Sequence, residues 1–124
     1  MVAEVLVFYR NRDTVPALIE VLMHDGGDGA RINAARSLAA IKDSRAVSAL
    51  IAGLEDEVTW VRLRAAGALK RMGAKRAVSA LVERLNDSNK RVQERAHQAL
   101  RALTGRALGP DYDAWRRIYP KRSK

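Results

Sequence analysis

The chain of 124 residues contains no cysteine and only six aromatic residues. Without cysteine it has no disulfide framework, no thiolate nucleophile and no cysteine-ligated metal site. The apolar residues are mostly alanine, leucine and valine, a mixture typical of closely packed helices with small contact residues. The longest uncharged apolar run, residues 5–9, is far too short to span a bilayer, so we expect no membrane segment.

Motifs that carry chemistry are missing as well. The sequence has neither a Walker phosphate loop nor a GxGxxG fingerprint, and no nucleophile has a plausible base. The isolated His24 and His97 lie in different repeats, and the acidic residues of turn 24–29 lack the spacing of a calcium loop. We therefore expect no catalytic residues, no cofactor and no metal ion.

What the chain does contain is a repeat of 31 residues. Residues 46–50, AVSAL, return unchanged as residues 77–81. A period of this size indicates a stack of two-helix units. Such a stack grows an extended surface and does not close a catalytic pocket, so the repeat points first to binding.

Each repeat is predicted to form a helix, a turn and a second helix, because apolar residues recur at i, i+3, i+4 and i+7. The first helices are expected to begin near Thr14, Ser44 and Lys75. The second helices are expected over residues 30–42, 60–72 and 91–104. Gly73 and Gly105 are predicted to end the last two of them.

The ends of the chain depart from the repeat. Residues 1–12 are predicted to form an N-terminal half-repeat that caps the stack, although this segment is also rich in strand-forming residues. The repeats themselves are assigned to residues 13–43, 44–74 and 75–105. Residues 106–124 are predicted to form a C-terminal cap and basic tail, with Trp115, Ile118 and Tyr119 on one apolar face of a short helix. The sequence thus predicts a single all-α domain.

The repeats resemble those of a known family. Residues 61–69, VRLRAAGAL, followed by residues 77–87, AVSALVERLND, are similar to HEAT repeats of the short bacterial phycobilisome-lyase HEAT-like type. The similarity covers about residues 13–105. It implies a right-handed α-solenoid of about three HEAT-like helical hairpins. The family includes interaction modules, chromophore-lyase subunits and distant DNA-alkylation glycosylases, so the resemblance does not select one activity.

The resemblance also implies a ladder of structural ion pairs. In the family an aspartate in the turn pairs with an arginine early in the second helix, and Asp56 and Arg62 match this pattern. In the last repeat Asp87 is followed by Gln93 at the arginine position, so that rung is altered and Arg91 is a candidate substitute.

A second face of the second helices points away from the buried stripe. By the resemblance this face lines the concave side of the solenoid. Candidate partner-binding residues on it are Ile32, Arg36, Leu63, Arg64, Gly67, Lys70, Arg71, Arg95, Gln98 and Arg101. Positive charges line up across the repeats, and Ile32 and Leu63 are apolar where solvent is expected, a pattern typical of protein-binding patches. A solvated basic face is the alternative interpretation.

Trp60 stands at the start of a second helix, where the other repeats have Gly29 and Arg91. We expect it to pack over its own turn, with stacking on a partner as the alternative. Gly67 lies in the middle of a helix, where its missing side chain would admit a partner's backbone.

The basic charge is uneven, since residues 88–124 carry +7 of the total of +9. Such an excess attracts nucleic acid, anionic lipid or an acidic protein, or serves solubility alone. The leading hypothesis is a non-catalytic HEAT-like adaptor that binds an acidic protein through its concave face. The alternative is phosphate-backbone binding to DNA or RNA through the Arg/Lys row and the basic C-terminus. The first residues lack a signal peptide's basic stretch, so we expect a cytoplasmic monomer or weak homo-oligomer.

Overall fold

The computed structural model of the protein describes residues 12–24 and 27–121. Within these ranges it contains seven α-helices and no strand. The helices are α1 (Val15–His24), α2 (Asp28–Ile41), α3 (Val47–Gly53), α4 (Thr59–Met72), α5 (Val78–Glu83), α6 (Lys90–Thr104) and α7 (Tyr112–Ile118). Short 3-10 helices occupy Arg12–Thr14, Ser44–Ala46, Lys75–Ala77 and Arg84–Asn86. The all-helical expectation is confirmed.

Consecutive helices form hairpins that stack on one another. Helix α1 packs against α2, α3 against α4, and α5 against α6. The second helices of the hairpins, α2, α4 and α6, lie side by side, and α1 also packs against α3. This is the solenoid arrangement that the 31-residue period predicts. The right-handed twist and the domain boundaries stay predictions.

The helix ends follow local chemistry. The expected starts of the first helices fall on 3-10 turns that run directly into α1, α3 and α5. At the start of α6, the side-chain oxygen of Asn89 accepts hydrogen bonds from the backbone N–H groups of Arg91 and Val92. Gly73 and Gly105 follow α4 and α6 with φ angles of 66° and 72°, the left-handed conformation that favours glycine. Their predicted role as stop signals is confirmed.

The core lies between the two layers of helices. Equivalent leucines of the first helices, Leu18, Leu50 and Leu81, are buried there. Opposite them the second helices present equivalent alanines, Ala34, Ala65 and Ala96. A methyl side chain lets neighbouring helices approach closely, and truncating one of the leucines to alanine would cost about 2–5 kcal/mol of stability.

Helix α7 covers the end of the last hairpin, as expected. The Trp115 side chain is 0% exposed, and its indole N–H donates to the carbonyl of Gly109 at 2.7 Å. Tyr119 stacks beside it, with 6.1 Å between the ring centroids. The expectation that Ile118 shares this buried face is wrong, since it is 38% exposed. Tyr119, one helical turn after Trp115, takes the place beside the indole.

The predicted N-terminal half-repeat falls almost entirely on residues 1–11, which lie outside the described residues. The last part of the predicted basic tail, residues 122–124, lies outside them too.

Candidate binding surface

The candidate residues lie on the second-helix face, the surface that α2, α4 and α6 turn away from the first helices. Most of the side chains predicted for it are exposed or half-buried there: Arg36, Arg64, Gly67, Lys70, Arg71, Arg95, Gln98 and Arg101. The two apolar members are exceptions. Leu63 is only 5% exposed, and Ile32 is half-buried against the core. The prediction that they form an exposed apolar pair is therefore wrong.

Four arginines from three helices surround a hollow of about 360 Å³ on this face, which we call the arginine hollow. Arg36 comes from α2, Arg64 and Arg71 come from α4, and Arg95 comes from α6. Arg64 and Arg95 are 31 residues apart and occupy equivalent positions in adjacent hairpins, so stacking in register brings them together. The floor contains small residues: Ala39, Ala40, Gly67 and Ala68.

Gly67 makes this arrangement possible. A Cβ atom added at Gly67 would lie 3.1 Å from Nη1 of Arg95, closer than an ordinary van der Waals contact. The other hairpins carry Arg36 and Gln98 at the equivalent position. The missing side chain thus leaves room for the Arg95 guanidinium to lie across α4. In this protein the space over Gly67 is filled by a side chain of its own neighbour and is not open to a partner's backbone.

The arginine hollow concentrates positive charge, and none of the described residues that line it is acidic. Within the described residues, neither Arg36, Arg64 nor Arg95 forms an ion pair with a carboxylate. Burial, followed by repulsion from Arg36 and Arg95, lowers the pKa of Arg64 below its usual value. Nε of Arg64 is buried and has no hydrogen-bond partner in the part of the chain that the structure describes. Guanidinium groups that lack a carboxylate partner are a common feature of anion-binding surfaces in proteins.

A second hollow of about 390 Å³, the tryptophan hollow, adjoins the first and shares the Arg64 and Arg95 side chains as walls. Its other lining residues are Trp60, Leu63, Arg91, Glu94 and Gln98. Trp60 is 47% exposed, and the Arg91 guanidinium carbon lies 5.9 Å from its ring centroid. Trp60 therefore does not pack away over its own turn as expected, and it presents apolar surface beside the arginines.

Lys70 and Arg101 are not part of the arginine hollow. With Gln98 and Arg106 they line a separate, more open depression of about 410 Å³ near the end of α6. The predicted site residues thus divide into two basic groups on one face. Gln98 lies between these groups, because it lines both the tryptophan hollow and this depression.

The arginines on the opposite flank of the same helices are paired. Arg31 of α2 donates to the Asp56 carboxylate through Nε at 2.9 Å and Nη2 at 3.3 Å. Arg62 of α4 donates to the Asp87 carboxylate in the same way, at 2.8 and 3.1 Å. Each pair joins one hairpin to the turn of the next, and both pairs span 25 residues. The expected pairing of Asp56 with Arg62 inside one repeat is therefore wrong.

Arg62 does contact its own turn, but through the backbone, because its Nη1 donates to the carbonyl of Asp56 at 2.9 Å. Gln93 repeats this contact one period later and donates from Nε2 to the carbonyl of Asp87 at 2.6 Å. Arg91, the candidate substitute, lies over Trp60 instead. The ladder therefore ends at Gln93, whose amide keeps the hydrogen bond to its own turn and forms no ion pair with a following hairpin.

A comparison with protein families agrees with this architecture. The family model described as HEAT repeats matches residues 1–61 and 15–101. The chain belongs to the HEAT-repeat family. The match is to HEAT repeats in general, and the phycobilisome-lyase type stays a prediction. No curated protein gives a significant match to the chain.

Proteins built of HEAT repeats are commonly scaffolds for protein interaction. In this HEAT-repeat chain, none of the described helices is both long and apolar enough to cross a membrane. Among the same described residues, no three His, Asp or Glu side chains come together as a metal site would require.

Asp87 is the most firmly held carboxylate of the HEAT-repeat ladder. Burial by itself would raise its pKa, but the hydrogen bonds from Arg62 and the Asn89 backbone N–H, with the charges of Arg62 and Arg84, hold it below the ordinary value of 3.8. Its Oδ1 accepts the Asn89 N–H at 2.9 Å, and Arg84 lies 3.0 Å from its Oδ2. One carboxylate thus fixes the turn before α6 and joins two hairpins.

Proposed function

We propose that this HEAT-repeat protein is a non-catalytic scaffold that binds an acidic segment of another protein through its second-helix face. The observation that carries the proposal is the arginine hollow, where Arg36, Arg64 and Arg95 gather without an ion-pair partner among the described residues. Like charges held together oppose one another, and a partner's carboxylates would relieve this repulsion.

The tryptophan hollow supports a protein as the partner. Interfaces between proteins are enriched in tryptophan and arginine, and a few such residues carry most of the binding energy. Here the half-exposed Trp60 stands beside Arg64, Arg91 and Arg95. An acidic segment with one apolar side chain would place that side chain against Trp60 and its carboxylates over the arginine hollow.

The contact residues we propose differ in part from those the sequence suggested. Arg36, Arg64, Arg71, Arg95 and Gln98 stay in the proposed site. Lys70 and Arg101 lie at its edge, where they would contact only a longer partner. Ile32 and Leu63 support the surface from below and do not make the main contacts. Trp60 and Arg91 are added.

Binding of a nucleic-acid backbone is the second candidate. Its support is the basic depression at Lys70, Arg101 and Arg106, which extends the positive surface beyond the arginine hollow. Against it, Glu94 places a carboxylate in the wall of the tryptophan hollow, where a continuous strand of phosphates would be repelled.

The two candidates are separated by measuring fluorescence anisotropy with two labelled probes, a glutamate-rich peptide containing one leucine and a short DNA duplex. We expect the peptide to bind the protein more tightly than the duplex does. Replacing Arg64 and Arg95 together by glutamate should weaken peptide binding by about tenfold or more, since two charge-assisted contacts become repulsive.

The matched control is Arg76→Glu, because Arg76 is exposed and bonds Ser48 on the first helices, away from the second-helix face. This control should bind the peptide like the parent protein. Equal peptide affinity for the double variant and the parent would refute the proposal. Tighter duplex binding that falls steeply with salt would favour the second candidate instead.

A further inference from the structure

The arginine hollow has more positive charge than a carboxylate can neutralise. We infer that it is a site for a phosphate monoester, carried on a phosphorylated side chain of the partner protein, an inference that rests on the proposed function. Arg36, Arg64 and Arg95 line one space from three different helices, and Arg71 lines it with them.

Charge favours a phosphate monoester over a carboxylate. A phosphorylated side chain carries about −1.5 to −2 charges and three terminal oxygens at neutral pH, whereas a carboxylate carries one charge and two oxygens. Arginine donates N–H pairs in a planar fork that matches phosphate oxygens. Three arginines from the second helices of three successive hairpins therefore fit one dianion with three acceptors better than they fit one carboxylate.

The packing around Gly67 gives the Arg95 guanidinium its place beside the other arginines of the hollow. The Arg95 guanidinium lies across α4, where any side chain at position 67 would crowd it. Arg64 keeps a buried Nε that no acceptor of the described chain satisfies. The counter-charge that Arg36, Arg64 and Arg95 lack among the described residues is what a phosphate dianion would supply.

The surroundings favour a single phosphate on a peptide over a series of phosphates on a strand. The neighbouring tryptophan hollow shares Arg64 and Arg95, but it also contains Trp60, Leu63 and Glu94. An apolar residue next to the phosphorylated one would find Trp60 there. A second phosphate placed in the tryptophan hollow would be repelled by the Glu94 carboxylate.

The test uses three labelled peptide libraries with degenerate flanking residues and a fixed central residue, which is phosphoserine, glutamate or serine. Anisotropy measures the affinity of each library for the full chain. We expect the phosphoserine library to bind at least about tenfold more tightly than the glutamate library. Side-chain NMR should show the Arg64 Nε–H signal shifting with the phosphoserine library and with O-phosphoserine alone.

Two variants locate the site. Arg64→Met keeps the aliphatic stem and removes the charge, and it should lower phosphoserine affinity about tenfold or more, whereas Arg76→Met should leave it unchanged. Arg95→Met removes a charge from a different helix of the same hollow, and it should weaken binding of the phosphoserine library by a similar factor. It keeps the test decisive if Arg64→Met proves unstable.

The outcomes separate this inference from the proposed function. Equal binding of the phosphoserine and glutamate libraries, both weakened by Arg64→Met, would overturn the phosphate inference and leave the acidic-partner proposal standing. Failure of both libraries to bind would refute both. An Arg64 shift with inorganic phosphate equal to that with O-phosphoserine, without library selectivity, would indicate only a nonspecific anion site and would overturn the inference.

Discussion

Two sets of arginines on the same helices have opposite surroundings. Arg62 and Arg64 are two residues apart on α4, yet Arg62 is held in a bidentate pair with Asp87, whereas the nearby charges that act on Arg64 are those of Arg36 and Arg95. Arg31 and Arg36 of α2 differ in the same way. The direction in which each side chain leaves the helix decides between these surroundings, because successive positions point to different flanks.

The difference shows how a repeat separates stability from binding. The ladder arginines Arg31 and Arg62 point toward the turn of the next hairpin, and each of these two turns supplies an aspartate. The arginines of the hollow point to the other flank, where the neighbouring helix presents Arg95 or alanines. One set therefore joins the hairpins, and the other set is available to a partner.

The largest effect is expected from breaking a ladder pair. Arg62→Met removes the bidentate partner of a carboxylate whose side chain is only 1% exposed, while Arg84 and the Asn89 N–H still contact that carboxylate. We expect the free energy of unfolding, measured by urea denaturation, to fall by about 1.5–3 kcal/mol, the size of hydrogen bonds to a charged group. Arg64→Met, on the same helix, is the matched control. A similar loss in both variants would show that the two sets do not differ in their structural role.

Acidification should also weaken the ion pair between Arg62 and Asp87, with a smaller loss of stability than Arg62→Met causes. The pKa of Asp87 is lower in the folded chain than its ordinary value of 3.8, so the unfolded chain binds the proton more readily. The contribution of Asp87 to stability is therefore complete above that ordinary value and is lost as pH falls through the folded-state pKa. Urea denaturation across this acidic range should show less pH dependence in Asp87→Asn than in the parent. An identical pH dependence would contradict the assignment.

Part of this separation was predictable from the sequence. The repeat period predicted the helix positions. The 25-residue spacing between Arg31 and Asp56 also recurs between Arg62 and Asp87, so the sequence contained a signal for pairing between adjacent repeats. Helical periodicity also placed Leu63 on the second-helix face. It did not show that Leu63 is buried there, because a helical projection leaves out the side chains of neighbouring hairpins.

The contact between Arg95 and Gly67 could not be predicted from the sequence either, because the two residues lie on neighbouring hairpins. Gly67 alone suggested open space for a partner, and Arg95 alone suggested a solvated charge. Only the distance between the two helices shows that one residue makes room for the other. Trp60 gave a usable signal, since a large aromatic side chain replaces Gly29 and Arg91 of the other repeats, but its direction depended on the next hairpin.

Removing a charge from the hollow should affect stability little and binding strongly. Arg64→Met relieves repulsion from Arg36 and Arg95 and leaves no carboxylate of the described chain without a partner. We expect the free energy of unfolding to stay the same or to rise by up to about 1 kcal/mol, the size of a partly exposed charge interaction. Thermal and urea denaturation measure it. A loss of several kcal/mol would mean that Arg64 is structural, like Arg62.

The smallest expected change in stability comes from Gly67→Ala, which tests whether binding and folding depend on different residues. Gly67→Ala places a good helix former in the middle of α4, which favours folding by up to about 1 kcal/mol. The added methyl group meets the flexible end of Arg95 at 3.1 Å, so the guanidinium must move by a few tenths of an ångström, at little cost to the fold. Urea denaturation should therefore show equal or greater stability, while affinity for the phosphoserine library falls by less than in Arg64→Met, because the Arg95 guanidinium shifts but keeps its charge.

Ala68→Gly makes the reverse exchange at a buried neighbouring position and should lower stability. If Gly67→Ala instead destabilised the chain and left binding intact, Arg95 would be a packing residue of the fold. That result would contradict the assignment of the arginine hollow to binding.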